Sequence, residues 1–208
     1  MMSWLIKKLA FRPLLLKLYQ SPWYSYAMLH IIPYIRFTIY YTSFRGWKYH
    51  RGYKILQPGD IILTNDKWKL TSFLIPGPWS HAALCVSKNG EFSVAEMTHK
   101  NFTKSTFFDI CKESTRVAIL RCNDWTPDYI PTVIETCLSF ENVEYDIKFE
   151  YGIKALYCSE LIIASDPEHR LKYSSEDVMK IGMEYLSPTG ISKSKNCTKI
   201  WDSNDEIL

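Results

Sequence analysis

Three side chains of this sequence are of types that together do acyl chemistry: Cys158, His81 and Glu96. Cys158 follows Tyr157 and opens the run Cys158-Ser159-Glu160-Leu161-Ile162-Ile163, an apolar helix that ends before Pro167. A thiol at a helix start has its thiolate favoured by the helix dipole and by unpaired N–H groups. A nearby imidazolium lowers its pKa further, as in cysteine hydrolases. The Cys158 backbone N–H would then point toward a developing oxyanion.

The histidine and the carboxylate are brought together by a hairpin. Residues 81–87 and 92–98 are apolar strands flanking Lys88-Asn89-Gly90-Glu91. Asn-Gly supplies the two positive φ angles of a type I′ turn. A two-residue turn pairs Lys88 with Glu91, which sets Ala83 opposite Glu96 and His81 opposite Thr98. His81 and Glu96 are then diagonal neighbours on one sheet face, within reach of a hydrogen bond, whereas His99 and Glu91 point to the other face. A longer turn would shift the register and separate them.

The elements that must hold these groups follow from local pattern. Gln57-Pro58-Gly59-Asp60 is a turn leading into the strand Ile61-Ile62-Leu63-Thr64. Residues 116–121 are a further strand, and 127–140 read as a helix with Ile130, Val133, Ile134, Cys137 and Leu138 on one face. The expected fold class is α+β, with a small antiparallel sheet. Several residues have two readings. Tyr157 and Tyr145 line the site or pack beside it, and Asp60 either bonds near the site or serves its turn. Asp146 has the same ambiguity. Trp79, with Trp68, Phe73, Pro76 and Pro78, forms a substrate wall or a packed loop.

At 208 residues the chain has the length of one full domain. Its six cysteines include no C-x-x-C pair and no histidine at zinc-finger spacing. This argues against a structural metal and against a secreted disulfide framework, and suggests reduced thiols in a reducing compartment. No metal and no cofactor is expected. Residues 1–59 carry nine Lys or Arg and no Asp or Glu, while the remainder carries 16 basic against 22 acidic residues. The expected division is therefore a basic, aromatic, helical extension over 1–53 and a catalytic domain over 54–208.

Within the extension, residues 4–18 read as an amphipathic helix interrupted by Pro13, and 27–44 as an apolar run broken by Pro33 and Arg36. Neither has the length of uninterrupted apolar sequence that a membrane span needs, and no signal-peptide pattern is recognised. Three roles fit: lying on an anionic membrane surface, docking on a larger protein assembly, or packing on its own domain. Nucleic acid is disfavoured, since no binding motif accompanies the charge.

The segments Pro58-Gly59-Asp60-Ile61-Ile62-Leu63, Ile75-Pro76-Gly77-Pro78-Trp79-Ser80-His81-Ala82-Ala83, Ala95-Glu96, Tyr145-Asp146, Tyr157-Cys158-Ser159-Glu160-Leu161 and Leu186-Ser187-Pro188 occur in this order. Together they resemble the circularly permuted NlpC/P60 cysteine hydrolases of the YiiX/YebB kind, from about residue 55 to 201. In ordinary NlpC/P60 enzymes the cysteine helix precedes the histidine strand; here His81 comes first. The resemblance implies a papain-like core with Cys158 as nucleophile, His81 as base and Glu96 orienting the imidazole. It extends to no segment matching residues 1–50. The activity it implies is hydrolysis or acyl transfer at an amide or ester through a thioester. Cell-wall peptides and lipid or acylated amides both fit as substrates, and the basic extension fits a membrane or a phage particle alike. The alternative is a catalytically silent interaction protein on the same fold.

Overall fold

The computed structural model describes residues 17, 21–37, 46–75, 77–88, 93–147, 155–173, 176–177 and 184–205. The expected helix over 4–18 and the Asn89-Gly90 turn lie outside these. Among the described residues, a six-stranded sheet is built from β1 (Ile61–Asn65), β2 (His81–Cys85), β3 (Val94–Thr98), β4 (Asn101–Ser105), β5 (Arg116–Cys122) and β10 (Cys197–Asp202), in the order β10-β5-β1-β2-β3-β4. Every neighbouring pair is antiparallel. Two short ladders join β6 (Glu144–Tyr145) to β7 (Ala155–Leu156) in parallel, and β8 (Glu176–Asp177) to β9 (Glu184–Tyr185).

The central strands are apolar at nearly every position because both faces are covered. Ile61, Leu63, Ala82, Leu84, Ala95, Met97, Ala118 and Leu120 face one buried cluster. The helices Ile130–Ser139 and Cys158–Ala164 complete it through Val133, Cys137, Leu161 and Ile162. The alternate residues, Ile62, Ala83, Cys85, Val94, Val117 and Ile119, face a second cluster. There they meet Leu56, Phe107 and Trp201, with Tyr49 and Tyr53 of the helix Trp47–Ile55 at the margin. Gly52 of that helix is where the packing is closest: a Cβ there would stand 3.2 Å from both Phe107 and Trp201.

In chain order the described helices are α1 (Pro22–His30), α2 (Trp47–Ile55), α3 (Leu70–Leu74), α4 (Phe107–Lys112), α5 (Ile130–Ser139), α6 (Cys158–Ala164) and α7 (Pro188–Ser192), with a 3-10 turn at Ile32–Tyr34. α4 is entered through a capping box, in which Thr106 accepts from the Asp109 N–H and Asp109 accepts from the Thr106 N–H. The chain before α2 is tied to the body through the loop preceding β2. Arg36 bridges to Lys69 in a β-like contact, the Leu70 N–H donates to the Ile35 carbonyl (3.1 Å), and the Arg36 guanidinium meets Asp66 at 3.1 Å. No described helix is long and apolar enough to cross a membrane.

Candidate active site

The register between β2 and β3 sets Ala83 opposite Glu96, Leu84 opposite Ala95 and Cys85 opposite Val94. This is the pairing expected from a two-residue Asn-Gly turn, and it makes His81 and Glu96 diagonal neighbours. Their side chains meet: His81 Nε2 and Glu96 Oε2 are 2.7 Å apart. A carboxylate only accepts, so Nε2 carries the proton. The second carboxylate oxygen, Oε1, accepts from the Ser105 hydroxyl of β4 at 2.8 Å. Glu96 is thus held at both oxygens, and the imidazole is fixed in plane and tautomer.

Nδ1 is the ring nitrogen left for the Cys158 thiol, whose titration is tied to that of the imidazole. Cys158 is the first residue of α6 and is buried. Its position is set by its neighbours in sequence. The Tyr157 hydroxyl accepts from the Leu186 N–H at 3.1 Å, and the Ser159 hydroxyl donates to the Leu186 carbonyl at 2.7 Å. The helix start is therefore fastened on both sides of the cysteine to one residue of a distant segment.

Electrostatics inside this group favour an ion pair. Burial alone would lower the His81 pKa, but the hydrogen bonds and charges of Cys158 and Glu96 outweigh it and lift it to about 10. Burial would raise the Cys158 thiol; the imidazole, the Ala82 N–H and the Ser159 hydroxyl bring it below the ordinary thiol value instead. Burial also opposes the Glu96 charge, yet His81 and Ser105 hold the carboxyl below its usual range. Four other thiols go the opposite way, Cys197 among them. Burial pushes Cys85 up to about 12 and Cys137 up to about 11, and Cys111 rises too. Cys122 faces Cys197 across β5 and β10, and its thiol is lowered by that partner.

Of the other residues singled out from sequence, Tyr145 stands beside the thiol. Burial, and then the negative charge of Cys158, push its phenol up. Tyr157 is 1% exposed and acts as the pin just described. Trp79 is also buried; its ring lies under the Arg116 guanidinium at 4.4 Å, and its N–H donates to Thr189 Oγ1 at 3.3 Å. These contacts fit the packed-loop reading of Trp79. Asp60 is not brought to the site. Its backbone carbonyl accepts from the Cys85 N–H, at the far end of β2, four residues or roughly 13 Å from His81. Both its carboxylate oxygens take the Arg121 guanidinium at 2.8 Å, and Oδ2 also takes the Gln57 N–H at 2.7 Å. The turn reading of Asp60 is the one that fits.

Two residues near the site carry no sequence signal that was read. Ser105 lies on β4, a polar strand that the apolar pattern passes over. Tyr24 of α1 neighbours Asp146 and Tyr145: burial and then the Asp146 charge push its phenol up to about 12.

A family model described as "Permuted papain-like amidase enzyme, YaeF/YiiX, C92 family" matches residues 55–184. Among solved structures, the crystal structure of the metalloprotein yiiX from Escherichia coli O157:H7 aligns with a TM-score of 0.54 at 12% identity, over 70% of this chain and 96% of that one. At that identity the likeness is one of fold. No curated protein matches the chain. The term metalloprotein belongs to that relative. Here no group of three or more His, Cys, Asp or Glu side chains gathers into a metal site among the described residues. Nε2 of His81 is already engaged by Glu96.

Proposed function

Because the chain belongs to the permuted papain-like amidase family YaeF/YiiX (C92), we propose that it attacks an amide or ester carbonyl with the Cys158 thiolate, with His81 as acid and base and Glu96 as the residue that orients the imidazole. The observation that carries this reading is His81 itself, hydrogen-bonded to the Glu96 carboxylate at 2.7 Å, with its charge favoured by the Cys158 thiol beside it.

The thiolate adds to the carbonyl carbon, and the Cys158 N–H lies at the helix start to receive the oxyanion. Collapse of the tetrahedral species breaks the C–N or C–O bond, and the His81 imidazolium gives its Nδ1 proton to the leaving amine or alcohol. The acyl group is then a thioester on Cys158. Water, deprotonated by the now neutral imidazole, releases the acid. An amine or alcohol acceptor in its place gives acyl transfer. Candidate substrates are cell-wall peptides and lipid or acyl amides. Tyr145, beside the thiol, contacts the acyl group. The division into an extension over 1–53 and a hydrolase domain over 54–208 is part of the same reading, with α2 running across that boundary.

The test is the alkylation rate of each cysteine against pH, read by peptide mass. Cys158 reacts fast well below the free-thiol value of about 8.5, and His81→Ala removes that fast reaction. Cys122, the other lowered thiol, is distinguished by a Cys122→Ser variant that leaves the fast phase in place. A Cys158 that alkylates no faster than Cys85 or Cys137 overturns the reading.

A further inference from the structure

We propose that Cys122 and Cys197 are a redox-modification site, two thiols on neighbouring strands that hydrogen peroxide joins into a reversible disulfide, closing the chain around the segment that carries Cys158. Among the described strands they are the one pair of cysteines set directly opposite each other, Cys122 at the end of β5 and Cys197 at the start of β10.

The register gives their separation. The Asn123 N–H donates to the Asn196 carbonyl at 2.8 Å, one position further along the same pairing. Hydrogen-bonded and non-hydrogen-bonded pairs alternate along an antiparallel ladder, so Cys122 and Cys197 are a pair of the second kind, with Cα atoms about 4.5 Å apart. A disulfide spans Cα separations of roughly 4.4–6.8 Å, so the bond fits the strand spacing already present. The two side chains also share a sheet face: Cys122 is buried in the first cluster, and Cys197 packs half-buried against it.

The chemistry is divided between the two thiols. Cys122 is 2% exposed, and Asn196 Nδ2 donates to its sulfur at 3.7 Å. Cys197 lies beside it on the edge strand of the sheet and is the more accessible of the pair. The first proton leaves Cys122, because the Cys197 side chain and the N–H groups of Asp124 and Trp125 favour its thiolate, whereas Cys197 is pushed up. The Cys122 thiolate attacks one peroxide oxygen; the O–O bond breaks, Cys122 becomes a sulfenic acid and hydroxide leaves. That hydroxide takes the Cys197 thiol proton. The Cys197 thiolate then attacks the Cys122 sulfur, and a second hydroxide leaves and takes up the proton first shed by Cys122. Two thiols are oxidised to one disulfide, and one peroxide is reduced to two waters. Thiols such as glutathione reverse the bond by exchange.

The remaining buried thiols lack this arrangement. Cys85 faces Val94 across its ladder, and burial keeps Cys85, Cys111 and Cys137 protonated. The new bond encloses residues 123–196, which include α5, the helix of Cys158 and the Leu186 that fastens it. It also fixes β10, whose Trp201 packs in the second cluster. Oxidation therefore tightens the half of the fold that carries Cys158, and a reducing compartment releases it. The site does not depend on the hydrolase reading.

The experiment exposes the folded full chain, and Cys158→Ala beside it, to hydrogen peroxide at neutral pH. Remaining thiols are blocked with iodoacetamide in denaturant, and bonds are mapped by mass in non-reducing digests. Both proteins yield two peptides joined through Cys122 and Cys197, which dithiothreitol separates, while Cys85, Cys111 and Cys137 are recovered alkylated. The melting temperature rises by at least about 4 °C on oxidation and returns on reduction. Cys197→Ser, changed at the half-buried position, gives neither the joined peptides nor the rise; should that variant fail to fold, the mapping on wild type decides alone. Recovery of Cys122 and Cys197 as alkylated thiols after peroxide overturns the proposal. So does a Cys122 that stops at sulfinic acid, a bond from either cysteine to Cys158 or to a second chain in place of the joined pair, or a joined pair without the rise in melting temperature.

Discussion

Replacing Glu96 with Gln tests the electrostatics of the site while sparing its shape. The amide oxygen can still accept from His81 Nε2, and the amide nitrogen can donate to Ser105, whose hydroxyl reverses its role. Only the charge is lost. A hydrogen bond to a charged group contributes about 1.5–3 kcal/mol and a neutral one about 0.5–1.5. The imidazolium therefore loses roughly 1–1.5 kcal/mol, or about one pKa unit at about 1.4 kcal/mol per unit. The two side chains are 25% and 12% exposed, so water screens little of this. The His81 midpoint should fall from about 10 to roughly 9. Carbon-13-labelled histidine makes this measurable by NMR. There are five histidines in the chain, and His81→Gln identifies the resonance. The acid limb of Cys158 alkylation should hardly move, because the imidazolium is present on both sides of that ionisation. A His81 midpoint unchanged in Glu96→Gln would refute the reasoning: Cys158 alone would then hold the imidazolium, and Glu96 would be a spectator.

The folded protein should show a pH window of stability set by the same groups. His81, raised in the fold, contributes fully below about 6.5 and loses its contribution as pH climbs toward about 10. Glu96, lowered in the fold, contributes above about 4.5 and loses it as pH falls; melting temperature against pH should be a plateau with both shoulders, the acid one diminished in Glu96→Gln. Asp60→Asn removes one partner of a bidentate pair whose carboxylate is 1% exposed, costing ~2–3 kcal/mol in urea unfolding and leaving the Cys158 alkylation profile in place. Gly77→Ala would put a Cβ 2.3 Å from Thr189 Oγ1 at a φ of +96°, for a loss of ~2 kcal/mol or more. At Gly46 the backbone is at φ +62° and ψ −126° and nothing lies within 4 Å, so the same change there should cost ~1–3 kcal/mol from backbone strain alone.

Much of the sheet was legible because strands apolar at nearly every position leave little freedom of register: the pairing of Ala83 with Glu96 expected from the sequence is the one the strands adopt. The helix at 158 was legible from its apolar run and from Pro167 beyond it. Elements governed by distant partners were not. β4, Asn101–Ser105, is polar and largely exposed at the sheet edge, and with it went Ser105. Its start is marked by Asn101 at a φ of 71°, a turn signal that His99-Lys100 beside it obscured. β10 carries Lys199 and Thr198 outward and reads as a loop until Trp201 is seen packed in the second cluster. α2 is mostly polar, and its apolar contact is made by two tyrosines astride a glycine. Asp60 looked like a site residue because nothing near it in sequence announces Arg121, 61 positions on.

The strand order β10-β5-β1-β2-β3-β4 has a consequence for how the protein is made. His81 and Glu96 are 15 positions apart on adjacent strands and can find each other as soon as their hairpin leaves the ribosome. Cys158 is translated 77 residues after His81, and the segment around Leu186 that fastens it comes later still. In the proposed mechanism, synthesis from the N-terminus therefore completes the acid–base half of the site before its nucleophile exists. A nascent chain with its imidazole already poised has nothing with which to attack, and the reactive sulfur is born into surroundings ready to bury it. In the unpermuted order, where the cysteine helix comes first, an exposed thiol would wait for its histidine.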